Sequence, residues 1–291
     1  MNPQNILITG ANGQLGNCLR DLAKEYQDKY RFFYTDVAEL DITDAEAIDR
    51  YIIEHHIDIV INAAAYTAVD KAEDDEENAY RLNCTAVGNL AKAAKEHGVS
   101  FIHISTDYVF SGNACVPYKE DDPTGPLSVY GSTKLAGEQA ILKSGCRAVI
   151  IRTSWLYSEY GNNFVKTMLR LGAERESLRV VCDQIGGPTY AGDLAKAVFA
   201  MLNHLPEEGV TEVYHFANEG VCSWYDFSKA IMDIAGLSCR VEAIPTSEYP
   251  AKAHRPAFSL FNLGKIKRTL KEEIPYWRDS LILTINKLQQ K

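Results

Sequence analysis

No run in this chain approaches the roughly 18 apolar residues that a membrane-spanning helix needs. The opening stretch MNPQNILITG has no charged leading segment and no long apolar core, so no secretory leader is expected. There is no CxxC. The seven cysteines, Cys18, Cys84, Cys115, Cys146, Cys182, Cys222 and Cys239, are odd in number and widely spaced. That fits reduced thiols in a cytoplasmic protein better than a disulfide framework or a zinc site. There is no basic run, and the net charge of -9 argues against a nucleic-acid partner. There is no HExxH or similar ligand spacing, and none of the seven histidines is read as catalytic. Repeats, low-complexity tracts and linkers are also missing. What is left is an ordinary globular composition. With 46% apolar and 24% charged residues over 291 positions, one large α/β domain or two closely joined ones can bury a core.

The first half alternates strand-like and helix-like segments. NILIT (5–9), FFYTD (32–36), IDIVIN (57–62), SFIHIS (100–105) and RAVIIR (147–152) are short apolar runs rich in β-branched and aromatic residues. Such runs suit parallel strands buried on both faces. Helical patterns lie between them, near 14–26, 44–54, 76–97 and 128–143. This order predicts an α/β fold with a doubly wound parallel sheet. Beyond Arg152 the rhythm loosens, and six of the ten prolines lie after position 180. Strands are expected near 178–182, 212–216 and 240–244. Helices are expected near 161–173, 191–204, 223–235 and 277–289. The expected division is 1–153 for a nucleotide-binding domain and 154–291 for a smaller substrate lobe, with some segments returning to the main sheet.

ILITGANGQLG joins the first strand to the first helix and places Gly10, Gly13 and Gly16 in GxxGxxG order. Glycine allows the sharp turn, the close approach of a pyrophosphate and tight helix–strand packing. The helix N-terminus offers free N–H groups and positive dipole to phosphates. Asn12, Gln14 and Leu15 of this loop are counted with the cofactor residues, as are Asp41 and Ile42 after the second strand. Asp36 ends that strand, 20 residues after Gly16. There a carboxylate would hold the adenosine ribose of NAD, the alternative being a turn or cap. No arginine follows in DVAELD, so no dedicated 2′-phosphate clamp is visible. The pattern is that of a Rossmann-type sheet.

YGSTK (130–134) sets a phenol and an ammonium one helical turn apart, on one face. HISTDYVFSG ends the fourth strand and puts Ser105, Thr106 and Asp107 at the edge where open α/β sheets bind ligands. Hydride delivered to a ketone carbon leaves an alkoxide that must be protonated. A phenol with a pKa around 10 does this poorly at neutral pH unless a cation stabilises its anion. Lys134 would supply that cation and could also hold a nicotinamide ribose. The hydroxyl of Thr106 or Ser105 would polarise the carbonyl.

The glycine loop, NAAAYTAVDKAE (62–73), STDYVFSG (105–112), YGSTKLAGE (130–138) and RTSWLYSEYGNNFV (152–165) together resemble the extended short-chain dehydrogenase/reductase family. The likeness runs from about residue 5 to about 262 and is closest to the branch that reduces dTDP-linked 4-keto sugars. It implies reduction of dTDP-4-dehydro-6-deoxy-L-mannose to dTDP-L-rhamnose, with NADPH or NADH as cofactor. Tyr130 would be the proton donor, Lys134 its partner and Thr106 the hydroxyl member. Tyr66 and Thr67, with Ala63, Ala64 and Ala65, would line the cofactor. Asp107, Tyr108 and Trp155 would face the sugar. The dehydratases of the superfamily carry an Asp-Glu pair after the threonine. Here Tyr108 follows Asp107, which favours net reduction, with C4 epimerisation still open.

VCDQIGGPTY (181–190) resembles the family segment behind the sugar site, so Gln184 is a substrate candidate or a loop brace. HRPAFSLF (254–261) resembles a family motif, which implies that Arg255 approaches the nucleotide diphosphate, with a surface salt bridge as the alternative. Some family members dimerise through a magnesium ion held by glutamates. Cys18 and Gly192 stand at the matching positions and neither is a hard oxygen ligand. No metal is expected, and a monomer is expected ahead of a metal-bridged dimer. AEDDEENAY (72–80) reads as an acidic helix start. Asn83 is read as packing, with a relay role as the alternative. Two other functions stay open: a non-catalytic regulatory subunit like the beta subunit of methionine adenosyltransferase, which resembles the same branch, and a reductase of another nucleotide sugar.

Overall fold

The computed structural model describes residues 3–290; Met1, Asn2 and Lys291, at the outer ends of the two expected spans, lie outside the described residues. The chain begins with β1 (Gln4–Thr9), α1 (Gln14–Ala23), β2 (Tyr30–Thr35), α2 (Ala45–Glu54) and β3 (Ile59–Asn62). It continues through α3 (Val69–Ala72), α4 (Glu76–Tyr80), α5 (Ala86–His97), β4 (Ser100–Thr106), α6 (Val129–Ser144) and β5 (Ala148–Thr153). These strands, with β10 (Thr211–Phe216) from the second half, form one six-stranded sheet in the order β10-β5-β4-β3-β1-β2. Every pairing in it is parallel. The apolar runs are near-continuous because both faces are covered. Ile6, Ile8, Ile61 and Ile102 face α1 and the helix α8 (Ala191–Met201). Leu7, Val60, Phe101 and Ile150 face α2, α5 and the α6 residue Ile141. The chain reverses its winding direction between β1 and β3, and a crevice opens at their C-terminal ends.

Two expectations are corrected in detail. Strand β2 stops at Thr35, because the Asp36 carboxylate accepts the Val37 N–H at 2.9 Å and its carbonyl accepts from Glu39, turning the chain. The helical pattern over 76–97 is broken by a π turn at Arg81–Thr85. Asn83 causes it. Its side chain accepts the Tyr66 N–H at 2.9 Å and donates to the Tyr66 carbonyl at 3.1 Å, holding the helix open by one residue.

The rest of the second half is built from smaller pieces. The pairs are β6 (Leu156–Tyr157) with β9 (Thr189–Tyr190), β7 (Ser177–Val181) with β12 (Arg240–Ile244), and β8 (Ile185–Gly186) with β11 (Cys222–Ser223). Helices α7 (Phe164–Glu174), α9 (Trp224–Ala235) and α11 (Trp277–Gln289) enclose an aromatic core around Tyr157, Phe227 and Trp277. A last short helix, α10 (Gly264–Leu270), lies against β10. The helix starts are set by side chains. Asp44, Ser128, Asn163 and Ser223 each accept a first-turn N–H.

Candidate active site

A cleft of about 930 Å³ opens at the C-terminal edge of the sheet. Its floor is the glycine loop. Gly10 has φ +65°, and a Cβ there would lie 2.6 Å from the Ala64 nitrogen. A Cβ on Gly16 would lie 2.3 Å from the Gly10 carbonyl oxygen. The loop is therefore pressed onto the exit of β3, and α1 onto the loop. No side chain caps α1 at Gly13. Its first N–H groups are left for an anion, which fits a dinucleotide pyrophosphate.

Gly10, Gly13, Gln14 and Leu15 line the cleft, with Asp36, Asp41 and Ile42 at one end. Ala63, Ala64, Ala65 and Thr67 follow from β3. Ser105, Thr106, Asp107 and Tyr108 arrive from β4, Tyr130 and Lys134 from α6, and Trp155 from beyond β5. Strand tip and helix thus converge as the spacing suggested.

The Thr106 side chain stands beside the Tyr130 phenol. The Thr106 hydroxyl donates to Asp107 Oδ1 at 3.0 Å. Burial holds the Tyr130 phenol well above its ordinary pKa, with the Thr106 hydroxyl opposing. Lys134 is 2% exposed, and its Nζ donates to the Ile104 carbonyl at 2.7 Å. Burial lowers its pKa to about 8, against the charge of Glu138. Burial raises Asp107 to about 6, opposed by the hydroxyls of Ser259 and Thr106. Asp107 Oδ2 is buried without a hydrogen-bond partner. An unsatisfied carboxylate oxygen beside a phenol is a place for a ligand hydroxyl.

Residues 4–290 match the family described as RmlD substrate binding domain. The dTDP-4-dehydrorhamnose reductase of Aggregatibacter actinomycetemcomitans is 44% identical over 286 residues, 95% of this chain and 96% of that one. The crystal structure of a dTDP-4-dehydrorhamnose reductase from Clostridium acetobutylicum superposes with a TM-score of 0.93 at 40% identity, covering 98% of this chain and 100% of that one. One from Bacillus anthracis, in complex with NADP, superposes with a TM-score of 0.92 at 38% identity, covering 98% and 99%. The chain belongs to the dTDP-4-dehydrorhamnose reductases.

Several residues expected in this reductase's site lie elsewhere. Tyr66 turns away from the cleft, and its hydroxyl donates to Asp75 Oδ2 at 3.1 Å. Asn12 points outward and accepts from Arg20 at 3.4 Å, while its N–H donates to Asp36 at 3.2 Å. Gly16 acts through packing alone. Gln184 is buried outside the cleft and donates to Thr246 Oγ1 at 3.1 Å, so it is a loop brace. Arg255 is at the rim, bonded to the Tyr108 hydroxyl at 3.2 Å and to Asp70 at 2.6 Å. Cys18 is buried, and a side chain on Gly192 would meet the Tyr190 ring. Among the described residues, no group of three or more His, Cys, Asp or Glu could hold a metal ion.

Sequence reading of this reductase missed Glu138, Arg152, Trp224 and His103. Glu138 forms a buried ion pair with Arg152 at 2.7 Å and accepts from Ser105 at 2.5 Å. It thereby ties α6 to the tips of β4 and β5. The visible signal was a glutamate four positions after Lys134, on the same helix face. Trp224 stacks on Trp155, ring centroids 3.6 Å apart.

Proposed function

We infer that this protein reduces the C4 ketone of dTDP-4-dehydro-6-deoxy-L-mannose to dTDP-L-rhamnose with NADPH or NADH. The observation that carries the reading is the convergence of Thr106, Tyr130 and Lys134 in a cleft floored by the glycine loop. When bound, the nicotinamide supplies the hydride. Tyr130 Oη delivers a proton to the C4 oxygen, and Thr106 Oγ1 holds that oxygen. Lys134 Nζ stabilises the phenolate left on Tyr130. Asp107, Tyr108 and Trp155 bind the sugar, and Arg255 stands where a diphosphate could draw it from Asp70. Residues 1–153 bind the cofactor. Residues 154–291 mainly bind the sugar nucleotide, and β10 completes the sheet.

The protein is a cytoplasmic monomer in this reading, with no nucleic-acid partner. The support is the set of free cysteines, the acidic charge and the missing oxygen ligands at Cys18 and Gly192. No helix among the described residues is long and apolar enough to cross a membrane.

The test is oxidation of NADPH and NADH, followed by nicotinamide absorbance, with dTDP-4-dehydro-L-rhamnose as substrate. Rapid oxidation supports the reading. Protein that binds both cofactors yet oxidises neither would favour the regulatory-subunit alternative. A chelator that halves the mass in solution would overturn the monomer.

A further inference from the structure

A rung of polar side chains crosses the apolar sheet beneath Lys134. Thr9 stands opposite Asn62 in the register of β1 and β3, and Asn62 opposite His103 in that of β3 and β4. All three are buried, on the sheet face otherwise made by Leu7, Val60 and Phe101. The mechanism above uses none of them. Buried polar groups are tolerated when each is hydrogen-bonded, and here each is.

The direction of every bond in the rung can be assigned. The Ala64 N–H donates to Asn62 Oδ1 at 3.0 Å, and the Thr9 hydroxyl donates to the same oxygen at 2.7 Å. A backbone N–H can only donate, so this atom is the amide oxygen and Nδ2 is the donor. Asn62 Nδ2 lies 3.1 Å from His103 Nδ1, which must accept. His103 is neutral, because complete burial holds its pKa well below the ordinary value. A neutral imidazole that accepts at Nδ1 carries its hydrogen on Nε2. That nitrogen faces Lys134 Nζ at 3.3 Å. An ammonium has donors only, so Nε2–H and N–H would point at each other. An uncharged amine accepts from Nε2–H and still donates to the Ile104 carbonyl.

We propose that Asn62 and His103 are positioning residues that set the charge of Lys134. The fixed polarity of the rung weights Lys134 toward the amine, and reduction fails on the alkaline side as the ammonium is lost. The other groups around Lys134 are few. Glu138, one turn along α6, favours the ammonium but is held by Arg152 of β5. Asp107 and Tyr108 follow β4, and Tyr130 shares α6. Glu73, after α3, accepts the Val129 N–H at the start of α6. This inference rests on Lys134 being the partner of Tyr130.

Asn62→Asp tests the polarity with little change of shape. The carboxylate still accepts from Thr9 and Ala64. It also accepts from His103 Nδ1–H, which turns the tautomer over and lets Nε2 accept from the ammonium. The alkaline limb of kcat/KM is expected to rise by about one pH unit or more. A folded Asn62→Asp protein whose limb coincides with the unaltered protein's overturns the proposal. Nitrogen NMR of the unaltered, histidine-labelled protein reads the same point without a variant. Hydrogen on Nε2 of His103 through the neutral range supports the rung, and hydrogen on Nδ1 overturns it. The tautomer is read without turnover, so loss of this inference is distinguishable from loss of the reductase reading, which shows as absent nicotinamide oxidation.

Discussion

On the sheet side of the cleft, Lys134 is held by a carbonyl, an imidazole and the field of a buried ion pair. On the other side, Trp155 is held by a ring. Its indole lies on Trp224 at 3.6 Å and 8°, and Trp224 rests against Phe164 at 4.5 Å. Trp155 also has φ 49°, a conformation bulky residues rarely adopt, and the stack maintains it. The ion pairs differ likewise. Glu138–Arg152 is buried, whereas Arg240–Glu242 and Arg278–Asp233 are exposed. Directional polar bonds fix where a proton can go. Aromatic faces fix where a sugar ring can lie while leaving its rotation free. The first wall suits chemistry, and the second suits recognition.

The sharpest way to break that division is at Tyr130. Tyr130→Phe keeps the ring among Ala72, Ala79 and Tyr108 but removes the proton. Turnover is expected to fall about 10²–10⁴-fold with cofactor binding kept. Full activity, measured by nicotinamide oxidation, would falsify the assignment. Next comes Glu138→Gln, which leaves Arg152 buried and charged. Stability is expected to drop by about 3–5 kcal/mol in thermal melts. Arg240→Ala, which breaks an exposed pair, is expected to change it by less than about 1 kcal/mol. Equal losses would mean that burial does not decide what an ion pair contributes here.

The aromatic wall is tested at Trp224, which lies behind Trp155. Trp224→Ala is expected to raise KM for the sugar nucleotide about tenfold and leave kcat nearly unchanged. A fall in kcat with KM unmoved would put this wall into the chemistry.

The strands were readable as near-continuous apolar runs covered on both faces, and the helices by their apolar period. Tyr130 and Lys134 were readable because a helix fixes the spacing of near neighbours. The rung was not. Thr9 and Asn62 are 53 residues apart and Asn62 and His103 are 41, and only strand register joins them. Register in parallel strands is set by the packing of whole runs, which no short motif encodes. Tyr66 and Gln184 were misplaced for a related reason. Their motifs locate a backbone segment, but the side chains were drawn off by Asp75 and Thr246. The Trp155–Trp224 stack joins the turn after β5 to the first residue of α9, two segments that no shared motif links.

Asp107 sits where the two walls meet. Its folded pKa is raised to about 6, above the unfolded value of about 3.9. The folded state therefore binds the proton more tightly, and the stability it contributes is present below the unfolded value and lost as pH rises through about 6. Asp107→Asn is expected to match the unaltered protein in acid and to exceed it by about 1–3 kcal/mol at neutral pH. Thermal melts across pH check this. A difference that does not grow with pH would show that Asp107 is not strained by its charge.

The last expected effect lies at the far end of the sheet wall, where the site meets solvent. Asp36 accepts from Asn12 and Val37, and the Glu39 carboxylate bonds its N–H at 2.8 Å. Two acids there favour ribose hydroxyls over a 2′-phosphate. Arg20 opposes them. Its guanidinium lies 3.4 Å from Asn12 Oδ1 and 4.9 Å over the Tyr34 ring, near enough to the same edge to meet a phosphate. The balance predicts use of both cofactors. Asp36→Ala is expected to shift the NADPH-to-NADH ratio of kcat/KM toward NADPH by about tenfold, and Arg20→Ala to shift it toward NADH by a similar factor. Because the edge is exposed, added salt should shrink both shifts while leaving the loss in Tyr130→Phe untouched. Shifts that ignore salt would mean that the adenosine end is as dry as the catalytic end, and the sheet wall would then be uniform along its whole length.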